Sequence, residues 1–291
     1  MKIKRKFNVV DVVLLVLAAL AAVGVLALRN RVTGEGIAHE TTPMRCTVEM
    51  TWAPADMANQ MQVGDDVYRS TDGKYIGKVA SVRCVPHIEN TYSATEGRFI
   101  RYESEDGYDI YLTVEGDGYT TGRDIIIGEV KPKVCGEMAV KGRGFARIGY
   151  VVGLDFMGTE PEKDDNVGAG ELEAVYTVQL LDMREMLLDG IQVGDRFYEK
   201  TSGALMGEVI DVRTEEHVET VLSPDGEAIR AMKENSWDVY VKLKGRAVGK
   251  ADGYYLDGGT ELKVGASVTM NSQRFERTGT YYSLESIEAV K

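Results

Sequence analysis

Cysteine and histidine are scarce, with three of each in 291 residues. Cys46, Cys84 and Cys135 form no Cys-x-x-Cys pair, which excludes a zinc ribbon and a thioredoxin-like redox motif. An odd number of thiols leaves at least one free unless it pairs between chains. His87 and His217 have no Cys or His partner at ligand spacing, so surface or loop positions are expected for them, with no metal site. Positive charge is in deficit: 34 Lys+Arg against 46 Asp+Glu give −12, and nucleic acid is excluded as a partner because phosphate binding needs a basic face. There is no serine elbow and no phosphate-binding glycine loop, so neither catalytic residues nor a cofactor are expected, and the chain reads as a non-enzyme. Proline is rare at 6, whereas 32 glycines suggest many tight turns between strands.

What is present begins with one long apolar run. Residues 9–28 read VVDVVLLVLAALAAVGVLAL, with Asp11 the only ionisable side chain. At about 1.5 Å per residue such a helix spans about 30 Å, the hydrocarbon thickness of a bilayer. Lys2, Lys4, Arg5 and Lys6 precede it and only Arg29 and Arg31 closely follow, which orients residues 1–8 toward the cytoplasm and everything after Arg31 outside. A cleaved signal peptide is the competing reading. The run exceeds an ordinary signal core, Leu26-Ala27-Leu28 is a poor exit site, and Ala19-Leu20-Ala21 lies inside the run. Asn8 and Asp11 suit the capped, positive end of such a helix.

The remainder repeats itself. Gln62-Val63-Gly64-Asp65 returns 130 positions later as Gln192-Val193-Gly194-Asp195. The same offset pairs Tyr68 with Tyr198, Gly73 with Gly203, Gly77 with Gly207, Arg83 with Arg213, His87 with His217 and Gly149 with Gly279. Asp109-x-Tyr111 matches Asp238-x-Tyr240 one position out of step. The chain therefore reads as residues 1–8 a cytoplasmic tip, 9–28 a transmembrane helix, 29–44 a juxtamembrane linker, 45–157 and 174–291 two homologous domains, and 158–173 an acidic glycine-rich linker.

Each copy reads as mostly β, a small barrel-like fold of six or seven short strands. Residues 66–69 and 75–79 flank a hairpin turn, with partners at 196–199 and 205–209. Further strands are expected at 109–114, 125–130 and 148–156, and at 237–243, 261–270 and 280–287. A short helical insertion is expected at 228–235. Gly64, Asp65, Gly73, Gly77, Gly194, Asp195, Gly203 and Gly207 read as fold-setting positions, with Gly77 and Gly207 marking a bulge or a close backbone approach. Lys131, Lys133, Lys141, Arg143 and Arg147 against Glu137 form an asymmetric basic stretch in this acidic region, a candidate contact for an anionic lipid head group or envelope polymer.

The anchor Phe7-Asn8-Val9-Val10-Asp11, followed by the Val-Gly-Asp…Thr-x-Gly…Gly-x-Val pattern, resembles an uncharacterised bacterial "domain of unknown function" family of single-pass envelope proteins. That resemblance implies the bacterial cytoplasmic membrane, with the N-terminus in and the β-domains outside, and brings no activity or cofactor. Gly64-Asp-Asp-Val67 with Gly77-Lys-Val79, and Gly194-Asp-Arg-Phe197 with Gly207-Glu-Val209, are also similar to the barrel opening of mammalian-cell-entry lipid-transfer domains. The turn is longer here, Phe197 replaces the first valine, and no long apolar tail follows. The expected role is an envelope interaction scaffold or binding module, contacting envelope proteins or polymer and able to form a homo-oligomer. The alternative is a lipid-binding or lipid-transfer component.

Overall fold

Period-two alternation of side chains builds the first strand. In β1 (Thr42–Ala53), Met44, Cys46, Val48 and Met50 turn inward and are buried. The computed structural model describes residues 40–156, 168, 170–222, 226–257 and 259–290. The segment 9–28 lies outside these residues, and no helix among the described residues is long and apolar enough to cross a membrane.

After β1 the first copy continues with a short helix α1 (Ala55–Asn59), β2 (Asp66–Arg69), β3 (Tyr75–Ser93), β4 (Arg98–Thr120), β5 (Ile125–Ile127), β6 (Glu137–Lys141) and β7 (Ala146–Phe156). The second copy runs β8 (Leu172–Arg184), a 3-10 turn (Glu185–Gly190), β9 (Arg196–Glu199), β10 (Leu205–Leu222), β11 (Ala228–Lys250), β12 (Gly253–Leu256), β13 (Thr260–Glu261), β14 (Ser267–Asn271) and β15 (Glu276–Ala289). The strand order is β1-β7-β6-β2-β3-β4-β5, and β1 also pairs with β4. In the second sheet the order is β10-β9-β14-β15-β8-β11-β12-β13, with β10 also paired to β11. Replacing each strand by its repeat partner turns one closed pairing cycle into the other. Both copies are mostly β, as their turn-rich sequences imply.

Three expectations need correction. Residues 228–235 are not helical: Ala228–Met232 pair with Val218–Leu222 as the returning limb of the β10–β11 hairpin. The strands are also not uniformly short. β3 and β4 have 19 and 23 residues, and β10 and β11 have 18 and 23. The sequence hid their outer halves because polar side chains stand on both faces there, leaving no alternation to read. Each pair therefore extends beyond its cycle as a hairpin arm, through Ser93↔Arg98 in the first copy and Leu222↔Ala228 in the second. The anticipated 125–130 strand stops at Ile127, where Gly128 takes φ +57°.

The duplicated glycines have local causes. Gly73 and Gly203 turn their hairpins at φ +74° and +69°. A Cβ on Gly77 would overlap the Glu115 carbonyl, and one on Gly207 would overlap that of Lys244. Gly116 and Gly245 complete these crossings from the opposite strand, facing the carbonyls of Ile76 and Met206. Gly207 also sits at φ +145°. Gly207→Ala should therefore lower stability by about 3 kcal/mol, combining backbone strain with overlap. A shift of the urea midpoint measures this, and an unchanged midpoint would refute the close-approach account.

The copies pack against each other. Buried residues from both belong to one continuous hydrophobic core. Between the copies, Val134 N donates to Arg274 O at 2.6 Å, Glu276 N donates to Val134 O at 2.9 Å, and Val134 and Phe275 form a parallel bridge. Gln273 Nε2 reaches Thr121 O at 2.7 Å.

Candidate functional site: the hairpin elbows and the cleft between the copies

Each arm departs from its sheet at a register break. On β3 the break falls between Pro86 and Ile88, and on β10 between Glu216 and Val218. The residues skipped are His87 and His217, so both lie within strands rather than in surface loops. Their side chains are only 18% and 12% exposed, because each ring turns back to a carboxylate on the opposite strand. His87 Nδ1 lies 2.7 Å from Asp109 Oδ1, and His217 Nδ1 lies 2.6 Å from Asp238 Oδ1. The Nδ1–H donates and the carboxylate accepts, so Nδ1 is engaged and Nε2 is the ring nitrogen left over in both copies.

A second duplicated device faces each histidine. Trp52 and Asp182, 130 positions apart, adopt φ +52° and +53°, a conformation that L side chains rarely take. An arginine braces each bulge. Arg147 Nη2 donates to the carbonyls of Thr51 and Trp52, both at 2.8 Å. Arg277 Nη2 donates to those of Leu181 and Asp182 at 2.9 and 3.2 Å. A bulge re-aims the side chain it carries, and here the aim is the local histidine. Trp52 stacks on His87 with ring centroids 4.9 Å apart. The next tyrosine on the strand is held alike in both copies: Arg83 lies 3.9 Å over Tyr111, and Arg213 lies 4.5 Å over Tyr240.

The copies diverge where they meet. Glu49 points away from the first copy's interior yet is wholly buried, because the second copy covers it. Its carboxylate accepts from both Arg184 guanidinium nitrogens, with Nη1 to Oε1 at 2.5 Å. Tyr111 also hydrogen-bonds Glu49, and burial followed by this bond pushes the phenol up to about 12. The equivalent of Glu49 is neutral Gln179, whose Nε2 donates to Tyr240 at 3.0 Å. Beside the Glu49–Arg184 pair lies a cleft of about 520 Å³. His87, Asp109 and Tyr111 of the first copy line it, together with Asp182, Lys233 and Ser236 of the second.

The anticipated basic cluster is divided among separate tasks. Lys131 and Lys133 line a second cleft between the copies with Lys200 and Arg277. Lys131 pairs with Asp124 at 2.7 Å, while Lys133 reaches Asp124 at 3.2 Å and donates to the carbonyls of Ser272 and Gln273. Arg147 braces the Trp52 bulge. Lys141 ends β6, and Arg143 lies in the turn that follows it. Asp65 and Asp195 sit in matching turns, where they accept from Val79 N and Val209 N through their carbonyls at 2.9 and 2.8 Å.

Asp124 ties this region to pH. Burial raises its carboxyl, but Lys131 and Lys133 outweigh burial and hold it below its ordinary 3.8. A carboxyl whose folded value is depressed contributes stability that is present above the unfolded value and lost as pH falls. Unfolding free energy should therefore decline on acidification below about pH 4, and Asp124→Asn should flatten part of that decline. Urea titrations at about pH 6 and about pH 3 test this; an identical slope in the variant would disprove it.

The His–Asp elbows are within reach of the sequence, since all four residues are duplicated; only their pairing across two strands is not. Glu49, Arg184, Asp182 and Lys233 each occur in one copy, and no pattern marks them. No curated protein and no solved structure matches the chain. The profile of a domain of unknown function, DUF4330, matches residues 2–155 and again 156–285. Two successive matches cover nearly every residue, and the chain belongs to that family, as a tandem of two domains.

Proposed function

We propose that this protein is a non-enzymatic, membrane-anchored extracytoplasmic binding module, in which two small barrel-like domains hold a cleft and two hairpin arms at a fixed place on the bacterial cytoplasmic membrane. The anchor rests on the apolar run at 9–28 and its flanking charges. One observation carries the binding reading: the cleft takes its lining from both copies, which are braced by the Glu49–Arg184 pair and a continuous core. A ligand there would meet hydrogen-bonding and charged groups, His87, Asn90, Arg101, Lys233 and Ser236 among them. Such a lining suits a polar envelope protein segment or polymer.

The lipid-transfer alternative has less support. An acyl path needs open apolar space, since each buried CH₂ contributes about 0.8 kcal/mol. The inward positions of both cycles are instead filled by packed side chains, including Met50, Ile110 and Leu112, and Leu180, Phe197 and Met206.

Photo-crosslinking residues placed at Asn90 and Asn235, both lining the cleft, provide the test. In native envelopes they should give discrete adducts, and the same probe at Tyr254 on β12 should not. Phospholipid retained through mild-detergent purification in a closed homomeric ring, with no cleft-specific adduct, would reverse the choice.

A further inference from the structure

The second elbow departs from the first at four neighbouring positions, and the changes act together. Asp182 replaces Trp52, Ser236 replaces Gly107, Lys233 replaces Ser104 and Ala231 replaces Tyr102. Asp182 occupies the braced positive-φ bulge, so it is aimed at His217 as Trp52 is at His87. In the first copy Glu89 accepts a hydrogen bond from Tyr102. With Ala231 at that place, Glu219 is released toward the ring, and its Oε1 lies 3.9 Å from His217 Nε2. One ligand atom from each of Asp182, His217 and Glu219 then lies within 4.8 Å of the other two.

Asp238 holds His217 by accepting its Nδ1–H, which leaves Nε2, on the side of Glu219 Oε1, as the nitrogen available to the cluster. A carboxylate holding the far side of an imidazole is the outer-shell arrangement that orients metal-binding histidines. A second observation concerns charge. Lys233 Nζ sits 2.8 Å from Asp182 Oδ2 and 3.4 Å from Glu219 Oε1, so the cluster already holds a cation, the protein's own.

We propose that the second copy carries a site for one divalent transition-metal ion, with Asp182, His217 Nε2 and Glu219 as ligands, and that the ion takes the place of the Lys233 ammonium. One imidazole nitrogen and two carboxylates suit a borderline ion such as Zn²⁺, whereas Ca²⁺ and Mg²⁺ take oxygen ligands. Lys233 has a flexible stem and begins the unpaired stretch between Met232 and Ser236. Displacement would leave its charge free beside the cleft that it lines. The first copy has the same His–Asp pair but has Trp52 in place of the acidic partner at the bulge, which places the site in the second copy. This site is independent of whether the cleft binds a partner.

The test is Zn²⁺ binding to the full-length chain in mild detergent, followed by calorimetry and by the imidazole resonances of its three histidines. Saturable one-to-one binding is expected, with the resonance shifts confined to His217. His217→Ala should abolish binding, and Asp238→Asn should weaken it about tenfold. Lys233→Met removes the competing ammonium and should tighten binding about tenfold, equivalent to about 1.4 kcal/mol. Circular dichroism checks folding, and Glu219→Gln replaces His217→Ala if the latter unfolds. No saturable binding in either wild type or Lys233→Met would overturn the proposal, as would binding that survives loss of His217 or Glu219 ligation.

Discussion

Arg184→Met is expected to lower the unfolding free energy by about 3 kcal/mol, the low end for removing one partner of a buried ion pair. The asymmetry of the pair sets this size. Glu49 has no exposed surface, whereas Arg184 remains 41% exposed. Removing the arginine therefore strands a carboxylate that water cannot reach, and only the Tyr111 hydrogen bond is left to it. For a folded region of this size the melting temperature should fall by about 6–12 °C. The second copy supplies the internal control, because its equivalent of Glu49 is Gln179, which is satisfied by a tyrosine alone. Adding Glu49→Gln to Arg184→Met should thus recover a large part of the loss, about 1–2 kcal/mol. The measurement is a double-mutant cycle by urea unfolding. Additive losses in the double variant would show that Glu49 is not stranded, and the account of the junction between the copies would fail.

Much of the fold is legible in the sequence because the chain contains its own comparison. A glycine found at both Gly77 and Gly207 marks a backbone constraint, since unrelated side chains around it change while it does not. The same logic reaches the histidines: His87 and His217 recur, and so do Asp109 and Asp238. What the sequence does not reveal is that each pair meets across two strands, because strand register is a long-range property. The opposite difficulty hides Glu49, Arg184 and Lys233. These side chains do what their counterparts Gln179, Pro54 and Ser104 do not, so the repeat that exposes the fold conceals them. Their positions follow from how one copy covers the other, a surface that neither copy encodes alone. The basic residues are misleading for a related reason. Lys131, Lys133 and Arg147 are close in the sequence, but Lys133 joins the copies while Arg147 braces a bulge. Proximity along a β-chain is weak evidence for a common patch, since successive strands carry neighbours to different faces.

Phe275→Ala should produce the other large loss, about 3–5 kcal/mol, as is usual for truncating a fully buried phenylalanine. Phe275 has no exposed surface and meets Phe197 edge-on at a centroid distance of 5.9 Å. It also closes the parallel bridge to Val134 of the first copy, and its ring packs where a Cβ on Gly190 would lie. The vacated volume is thus walled by both copies, and neither can relax into it without shifting the other. Phe145 occupies the same position in the first repeat and is 6% exposed, packing over Gly142 within its own copy. Phe145→Ala should therefore disturb one domain, with a loss at the low end of that range, about 3 kcal/mol. The distinction lies in cooperativity as well as size. If the shared core makes the two copies one unfolding unit, Phe275→Ala should lower the midpoint while the transition stays single, and Val134→Ala should couple to it non-additively by about 0.5 kcal/mol or more. Calorimetry with urea titrations of the two single variants and the double variant would decide. Equal losses for Phe145→Ala and Phe275→Ala, with additive behaviour at Val134, would mean that the two copies fold independently and that the contact at Phe275 is incidental.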